Sequence, residues 1–448
     1  MRRTLALSSL LLAGTALAAA DPDPSLTSWP QFRGPNGQGV STETGLPLTW
    51  SATENVVWKT AIPGRGHSSP VVWGNRIFLT TAVEGDVSKP GFTGVKHLDE
   101  GKEFSHPDGV GADRTQTLKV LAVDAETGTV LWERTAWEGN PYDTRHRRGS
   151  FASPTPIVDG ERVYAWFGSE GLYTYDLEGK LLWKAELGGL ASMGVGVGTS
   201  PVLHGELVIL QCDEDNGDKS FIAALDRRTG REVWRVARKV QVSWATPVIV
   251  KAGARDELVT AGAEAIIAYD PATGKELWRV KGLESNAVPS PVAGADVVIL
   301  TSGYPSKVAL AIRPGGSGDV TGTARVLWRY EKGTAYVPSP ILYRDLVYLV
   351  SDRGLVSALD AKTGAVKYEG GRPPVPATFM ASPVVIDGRI VLMSEDGDAF
   401  VIKSGPVHEV EHTNSLGEPI FASPAISQGR IFIRGAQNLY CIGKKKGA

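Results

Sequence analysis

The stretch Ala122–Trp132, which reads AVDAETGTVLW, carries the phrase Ala-x-Asp-x-x-Thr-Gly-x-x-x-Trp, and this phrase decides the fold. It returns complete at Ala224–Trp234 and Ala268–Trp278. A fourth copy, Ala358–Tyr368, ends in tyrosine, and a shortened copy occupies Asp176–Trp183. An Asp and a Thr-Gly between two apolar runs predict a tight turn, in which Asp accepts from nearby amides and Gly takes a positive φ. The phrase therefore predicts repeated hairpins.

A second phrase, a small residue followed by proline and a hydrophobic strand, marks the start of each repeat. Its eight occurrences are Ser69-Pro70, Ser153-Pro154, Ser200-Pro201, Thr246-Pro247, Ser290-Pro291, Ser339-Pro340, Ser382-Pro383 and Ser423-Pro424. By subtraction, the steps between prolines are 84, 47, 46, 44, 49, 43 and 41 residues. A period of roughly 40–50 residues built from short strands predicts a β-propeller with four strands per blade. Small size and backbone bonding explain the repeated serine, which has no signature of a nucleophile.

The aromatic residue that ends each repeat is predicted to be structural. A large ring after the turn can be buried against the neighbouring blade, with its indole N–H needing a partner. Blade five keeps this residue although a Gly-rich loop, Gly315 to Gly322, replaces its turn. The structural set is Trp58, Trp132, Trp183, Trp234, Trp278, Trp328 and Tyr368.

The two ends of the repeat region complement each other. The strand at residues 56–62, with Trp58, resembles the last strand of a blade but has no earlier strands before it. Blade eight has three strands and then stops after Ile442. Pairing the Trp58 strand as the fourth strand of the last blade would close the ring and remove its exposed edges. The predicted fold is an all-β, eight-bladed propeller with four antiparallel strands per blade.

The remaining segments are assigned by composition. Residues 1–20 predict a signal peptide, with Arg2-Arg3, an apolar run from Leu5 to Leu17 and a small-residue cleavage site. Residues 21–55 predict an extended arm over the outside of the ring, and residues 444–448 a short tail. The propeller occupies 56–443, with an insertion at 82–116 in blade one. No cysteine stands directly after the apolar run and no later stretch could span a membrane, so we expect a periplasmic or secreted protein without a lipid anchor.

Composition and charge narrow the function. A net charge of −2, with no basic stripe, gives no electrostatic case for nucleic acid. The two cysteines, Cys212 and Cys441, fall in blades three and eight and are predicted to be buried free thiols. The acidic loop Asp213–Asp218 misplaces the glycine that calcium loops need, and is interpreted as a solvated loop. The histidines show no zinc pairing, so no metal site is predicted.

The Trp-ended repeat resembles that of the pyrroloquinoline-quinone (PQQ) type β-propellers, from about Trp29 to Gly443. The opening Trp29–Pro35, WPQFRGP, looks like the start of a secreted bacterial subgroup of PQQ-binding-like repeat proteins. This resemblance implies the fold more than the chemistry, because the family holds quinoprotein dehydrogenases and non-enzymatic scaffolds. One such scaffold is the lipoprotein propeller of the outer-membrane assembly machine, from which this chain departs by lacking the lipid-anchor cysteine.

The resemblance also implies what an enzyme of this family would contain. Quinoprotein dehydrogenases hold PQQ over the ring axis with an adjacent Cys-Cys pair, a Trp floor, Ca²⁺ ligands from Glu, Asn and Asp, and an Asp base. This chain has no vicinal Cys pair and no Cys-x-x-Cys-His haem signature. We therefore expect a non-catalytic binding or scaffold module without a cofactor. The alternative is a quinoprotein-like oxidoreductase that uses PQQ with Ca²⁺ on an alcohol or sugar.

Two irregular pieces, the insertion and the connection from Trp132 to Phe151, are predicted to lie on one face over blades one and two. Long loops on a rigid scaffold are where function tends to sit. The candidate binding face, which mixes charges with aromatic rings, comprises Arg65, His67, Arg145, His146, Arg147, Arg148, Trp244, Tyr336, Asp352 and Phe379. It is predicted to bind an envelope protein, a peptide or a small polar ligand, and the chain is expected to be a monomer. The alternative is a set of rim charges satisfied by each other and by water.

Overall fold

The computed structural model describes residues 27–99, 101–215, 217–284, 286–294 and 296–444. In this part of the chain eight sheets form the eight blades of a propeller. Each contains four antiparallel strands, and one sheet carries a fifth strand in addition. The predicted fold class is confirmed. The predicted signal peptide at 1–20 lies outside the described residues.

The first half of the ring contains blades one to four, with a 3-10 turn at Gly168–Glu170 in blade two. Short strands β4 to β6 belong to the blade-one insertion and β9 to the connection that follows blade one. The strands are β1 (Val56–Ala61), β2 (Val71–Trp73), β3 (Arg76–Val87), β4 (His97–Asp99), β5 (Lys102–Phe104), β6 (Gly109–Val110), β7 (Arg114–Asp124), β8 (Val130–Gly139), β9 (Arg145–His146), β10 (Ile157–Val158), β11 (Arg162–Trp166), β12 (Leu172–Asp176), β13 (Leu181–Ala185), β14 (Val202–His204), β15 (Leu207–Cys212), β16 (Phe221–Asp226), β17 (Glu232–Ala237), β18 (Val248–Ala252), β19 (Arg255–Thr260), β20 (Ile266–Tyr269) and β21 (Glu276–Val280).

The second half contains blades five to eight. One short strand, β25, leaves the Gly-rich loop of blade five and pairs in parallel with β21 of blade four. The strands are β22 (Val292–Ala293), β23 (Val298–Ser302), β24 (Val308–Ile312), β25 (Gly318–Asp319), β26 (Val326–Tyr330), β27 (Ile341–Tyr343), β28 (Leu346–Val350), β29 (Val356–Asp360), β30 (Val366–Gly371), β31 (Val384–Ile386), β32 (Arg389–Met393), β33 (Asp398–Lys403), β34 (Val410–Ser415), β35 (Ala425–Ser427), β36 (Arg430–Arg434) and β37 (Asn438–Ile442).

The ring closes as the sequence predicts. Strand β1 pairs antiparallel with β37, with Trp58 opposite Cys441 and Ala61 opposite Asn438. The last blade therefore has the order β1-β37-β36-β35, in which the outermost strand comes from the N-terminal side of the chain. This closure joins the two ends of the repeat region in one sheet, which removes the free blade edges of an open propeller.

Each closing tryptophan packs under the glycine of the next blade's turn. A Cβ placed on Gly128 would lie 2.6 Å from the Trp58 ring, and one on Gly230 would lie 2.4 Å from the Trp183 ring. These glycines also have positive φ values, +75° and +73°, so two independent requirements select glycine there. The indole N–H usually finds a carbonyl in the same neighbour, as in the 3.1 Å bond from Trp58 to the Ala125 carbonyl. The Asp-Thr-Gly turn is thus also the docking surface between blades.

The Ser and Thr residues before the repeated prolines form a hydrogen-bonded ring around the axis, which we call the hydroxyl ring. In seven consecutive steps, a backbone N–H donates to the side-chain hydroxyl of the equivalent residue in the next blade at 2.9–3.0 Å. Blade two enters this ring through Thr155 and not through Ser153, whose hydroxyl bonds to the Ser150 carbonyl. The predicted repeat mark at Ser153-Pro154 is therefore wrong by two residues, because two consecutive Ser/Thr-Pro pairs compete there and Thr155-Pro156 precedes β10.

The arm does not cover the outside of the ring, as its composition had suggested, but crosses the inner edges of the blades. Trp29 pairs with Val72 of blade one, and Val40 pairs with Val385 of blade seven. Arg33 is completely buried and donates to the Pro340 carbonyl of blade six at 2.7 Å. The prediction failed because low-hydrophobicity segments can still be buried when their backbone groups complete the free edges of strands.

The blade-one insertion is partly regular structure. Strands β3 and β7 continue past the expected boundaries of 82 and 116, with Glu84 opposite Gln116 and Val87 opposite Arg114. The loop beyond them folds into the hairpin β4–β5, and β6 pairs with β9 of the following connection. The two irregular pieces are therefore joined by main-chain hydrogen bonds.

Cys212 and Cys441 are both free and buried, as predicted. Within the described residues, none of the helical structure is long and apolar enough to cross a membrane.

Candidate functional site

The arginine run at 145–148 is divided between the interior and the surface. Arg145 is only 8% exposed, forms an ion pair with Glu84 at 3.2 Å and lies over the Phe151 ring. Its guanidinium also donates to the carbonyls of residues 146 and 147, which fixes the turn of the connection. Arg145 therefore supports the face more than it presents charge to a partner.

The other members of the run reach the surface. Arg147 and His146 both contact Asp108 of the insertion, at 3.2 and 3.3 Å. Arg148 is half-exposed and pairs with Glu395 from the turn between β32 and β33, so it reaches from blade one to blade seven. Arg65 is exposed and donates to the Arg147 carbonyl at 2.8 Å. Arg65, Arg147 and Arg148 form what we call the basic face.

His67 lies beneath this basic face, where it stacks on Phe421 with ring centroids 4.8 Å apart. Burial, with help from Arg434, Arg65 and other arginines, lowers the pKa of His67 to about 3. His67 is therefore neutral at physiological pH and serves as a packed ring. The nearby arginines also make the electrostatic potential positive here, and this disfavours the imidazolium in addition to burial.

Arg434 supports that potential from below. It is 3% exposed and donates through one nitrogen to the Ser68 carbonyl, the Ser68 hydroxyl and the Thr80 carbonyl. Burial lowers the pKa of Arg434 to about 9, so the guanidinium keeps its charge at neutral pH. Within the described residues it has no carboxylate in ion-pair contact, so its charge adds to that of the face.

A buried histidine that the sequence did not single out as a site holds the insertion in place. His97 donates or accepts at both ring nitrogens, 3.0 Å from Asp143 and 3.0 Å from Asp215. Burial opposes the charged form, but hydrogen bonds to the two carboxylates outweigh it and raise the pKa of His97 to about 9. The carboxylates are themselves held by the backbone N–H groups of Ser192 and Met193. We call these residues the His97 clasp.

The His97 clasp joins four parts of the chain that are far apart in sequence. His97 comes from the insertion, Asp143 from the connection after β8, Ser192 from the link between blades two and three, and Asp215 from a turn of blade three. His97 lies within the predicted insertion, but its partners lie 46 and 118 positions away in the sequence. No local spacing could have revealed this arrangement.

The prediction that the acidic loop starting at Asp213 is solvated is wrong for the first residues of the loop. Asp213 and Arg238 form a completely buried ion pair with the charged atoms 2.9 Å apart. Burial raises the pKa of Asp213 to about 6, against the effect of Arg238 and of hydrogen bonds from Ser243 and Gln211. Asp215 is used by the His97 clasp. The carboxylates are buried because each has a cationic or hydrogen-bonding partner.

The other four residues of the predicted binding face, Trp244, Tyr336, Asp352 and Phe379, are not part of the basic face. The Trp244 indole donates to the Gly196 carbonyl at 2.7 Å, which ties two inter-blade links together. Asp352 accepts from the backbone N–H of Tyr336 at 2.8 Å, and the Tyr336 ring packs at a tilt against that of Tyr304. Phe379 is buried against Phe400. These four residues therefore stabilise links between blades, and Tyr336 alone among them is exposed.

The residues do not fit the quinoprotein site that the resemblance implies. Among the described residues, no three His, Cys, Asp or Glu side chains are grouped so that they could hold a metal ion. Burial raises the pKa of Cys212 above its usual range and that of Cys441 to about 12, and the two thiols lie in different blades. The described residues thus show no such group of side chains and no Cys pair, and no chemical step is derived through PQQ.

Fold and site together define a closed eight-bladed propeller whose one irregular face is cationic and anchored by a buried histidine. The chain belongs to the family described as outer membrane protein assembly factor BamB, whose model matches residues 94–217, 218–316 and 320–448. A search of curated proteins gives no match.

Solved structures show the same architecture at low sequence identity. BamB from Moraxella catarrhalis is 17% identical with a TM-score of 0.52, and the match covers 83% of this chain and 98% of that chain. Quinohemoprotein alcohol dehydrogenase from Comamonas testosteroni is 12% identical with a TM-score of 0.61, covering 94% and 81%. Quinohemoprotein alcohol dehydrogenase ADHIIG from Pseudomonas putida HK5 is 12% identical with a TM-score of 0.60, covering 94% and 80%. These likenesses show the fold alone.

Proposed function

We propose that this protein is a non-catalytic binding or scaffold module of the cell envelope, which binds an acidic partner protein through the basic face. Family membership supports the envelope assignment, since the family description names outer-membrane protein assembly. The predicted signal peptide supports it too. The same likeness extends to quinohemoprotein alcohol dehydrogenases, but among the described residues no three His, Cys, Asp or Glu side chains form a group that could hold a metal ion.

The observation that carries the proposal is the way the basic face is built. Arg65, Arg147 and Arg148 stand on connections that are fixed from beneath by Arg145, by the β6–β9 pairing and by the His97 clasp. A surface that is held rigid before binding loses little conformational entropy when a partner docks. Cations on such a surface steer and orient a partner with complementary charge.

The incomplete pairing of the arginines of the basic face with carboxylates also favours an acidic partner. Arg148 pairs with Glu395, while Arg147 shares Asp108 with His146. Arg65 donates only to a carbonyl in the described structure, and the buried Arg434 adds a further positive charge. A partner carboxylate could therefore bind Arg65 directly and exchange with the surface ion pairs, which are individually weak.

The test is a fluorescence titration of the purified mature protein with a labelled ten-residue peptide of alternating Glu and Ser. The variant Arg65→Ala/Arg147→Ala/Arg148→Ala removes the basic face but keeps the buried Arg145. We expect it to bind the peptide at least about tenfold more weakly, and expect binding by the unmodified protein to weaken with salt.

A matched control removes the same charge from the opposite side of the ring. Arg228→Ala/Arg231→Ala/Arg344→Ala alters exposed arginines in turns that join β16 to β17 and β27 to β28. This variant should keep the affinity of the unmodified protein. An equal loss of peptide affinity in both variants would mean that binding depends only on the net charge of the protein. Equal affinity in all three proteins would mean that the basic face is not the binding surface.

A further inference from the structure

At the inner edge of each blade, the residue two positions after the repeated proline points its backbone N–H and carbonyl away from its own sheet. In blade one, Val72 both donates to and accepts from Trp29 of the arm, at 2.8 and 3.0 Å. In blade seven, Val385 donates to Gly39 at 2.7 Å and accepts from Ser41 at 3.1 Å. The arm thus adds short strand-like contacts to the free edges of these innermost strands.

Two further blades use the same position. Val158 of blade two donates to the Pro30 carbonyl at 2.9 Å. Ala293 of blade five donates to the side-chain amide oxygen of Gln38 at 2.7 Å. Four inner edges therefore receive an amide oxygen from the arm, three from the backbone and one from a glutamine side chain. The arm thus shows that amide groups can pair with the free backbone N–H groups of these inner strands.

Blades three and four have the same edge, but the arm does not pair with it. Leu203 and Ile249 occupy the equivalent positions, opposite Val208 and Leu258 in their hairpins. As in blade one, each lies between two closely bonded pairs of its hairpin, so its N–H and carbonyl point away from the sheet. No described residue of the arm takes up these groups.

A cavity of about 200 Å³ lies against these two edges. It is bounded by the arm on one side and by the inner strands of blades three and four on the other, and reaches the hydroxyl ring. Its polar lining comes from Gln31, Asn36, Thr246 and Ser290, beside Leu203 and Ile249. None of its lining residues carries a charge. It is larger than an apolar cavity of about 150 Å³ that holds benzene in another protein.

We propose that this axial cavity binds a small uncharged molecule with adjacent amide groups, equivalent to a short stretch of peptide backbone. Its amides add to the edges at Leu203 and Ile249 as the arm does in the other blades, by strand addition. The Thr246 and Ser290 hydroxyls each accept a backbone N–H in the ring, which leaves their O–H groups to donate. A charged ligand is disfavoured because no group of opposite sign lines the cavity.

The experiment is a methyl NMR titration of the full mature protein, labelled at isoleucine methyl groups, with N-acetyl-alaninamide. The Ile249 methyl signal should shift in a saturable way, while that of Ile299, buried elsewhere, should not. The control ligand is methyl 2-acetoxypropanoate, an ester of similar shape that lacks N–H donors. It should bind at least about tenfold more weakly, because it cannot donate to the Leu203 and Ile249 carbonyls.

A blocking variant locates the site. Pro35 is exposed and lines the cavity, and only its carbonyl is used, by the Gln31 side chain. Pro35→Trp should abolish the diamide shift, whereas Pro90→Trp, on the exposed insertion, should leave it unchanged. Hydrogen exchange of the Leu203 and Ile249 amides in the unmodified protein, which should slow with the diamide, gives a readout that needs no variant.

Three results would overturn the proposal: no saturable shift at Ile249, equal affinity for diamide and ester, or full binding by a folded Pro35→Trp protein. The outcome is independent of the basic face, since Arg65→Ala/Arg147→Ala/Arg148→Ala should bind the diamide normally.

Discussion

At the scale of single residues, neighbouring blades are matched through glycine and tryptophan. Trp183 packs where a side chain on Gly230 would have to stand, and the same relation joins Trp58 to Gly128. The turn glycine has a positive φ, which L-residues adopt only at a cost of about 1–2 kcal/mol. The contact with the tryptophan of the preceding blade is a second reason for glycine at this position, and its effect can be measured separately.

The variant Gly230→Ala should lower the free energy of unfolding by about 2–4 kcal/mol, because strain and a clash with the Trp183 ring add together. Gly429→Ala is the matched control, since Gly429 has φ +72° but open space where its Cβ would stand. It should cost about 1–2 kcal/mol. Denaturant unfolding measures both, and equal losses would mean that packing against tryptophan does not select the glycine.

At the scale of elements, the insertion is held to the propeller by the His97 clasp and not by an apolar core. His97 is buried between Asp143 and Asp215, and the link at Ser192 supplies further donors. A group whose pKa is raised on folding stabilises the fold fully below its unfolded pKa of about 6.5 and loses this effect as pH rises through the folded value. For His97 that value is about 9.

The stability difference between the unmodified protein and His97→Gln should therefore be largest at or below pH 6.5 and fall between pH 6.5 and 10. A shift of this size corresponds to a change of about 3 kcal/mol across that window. Urea unfolding at several pH values measures it, and hydrogen exchange in residues 88–113 should rise first. A pH-independent difference would show that the imidazolium does not hold the insertion.

The hydroxyl ring is a second element-scale device, since it satisfies backbone N–H groups where one blade passes to the next. The Ser200 amide donates to the Thr246 hydroxyl at 3.0 Å. A buried amide that loses its acceptor costs about 1–3 kcal/mol.

Replacing Thr246 with valine should therefore destabilise the protein by about 1–3 kcal/mol and speed hydrogen exchange at Ser200. Thr246→Ser keeps the hydroxyl and should retain slow exchange at Ser200. If both variants exchange alike, the bond to the hydroxyl is not what protects this amide.

At the scale of the whole molecule, the N-terminal segment has two tasks. Strand β1 closes the last blade, while Trp29, Arg33 and Gly39 occupy the inner edges near the axis. The arm therefore contacts blades one, two, five, six and seven from the side of the axis. Strand β1 forms the outermost strand of blade eight.

These two tasks can be separated by truncation. A protein that starts at residue 63 should lose cooperative thermal unfolding, because the last blade is left with an open edge. A protein that starts at residue 44 keeps β1 and should still unfold cooperatively, but at a lower temperature. Unchanged cooperativity in the shorter protein would reject ring closure by β1.

The sequence predicts the blades and their closure because each repeat carries its own turn, proline and tryptophan signals. The arm and the His97 clasp could not be predicted in the same way. The Trp29–Val72 pairing depends on strand edges that exist only in the closed ring, and the clasp brings together carboxylates 72 residues apart, Asp143 and Asp215. Likewise, the predicted binding face included Arg145 beside His146, Arg147 and Arg148, whereas Arg145 is buried and supports its neighbours.

The most direct test of the central claim, a binding module and not a quinoprotein enzyme, is a calorimetric comparison on one preparation of the mature protein. It is titrated with the Glu-Ser peptide and, separately, with PQQ in the presence of Ca²⁺. We expect a saturable heat with the peptide that the Arg65→Ala/Arg147→Ala/Arg148→Ala variant loses, and only heats of dilution with PQQ. One-to-one saturable binding of PQQ, with no response to the peptide, would contradict it.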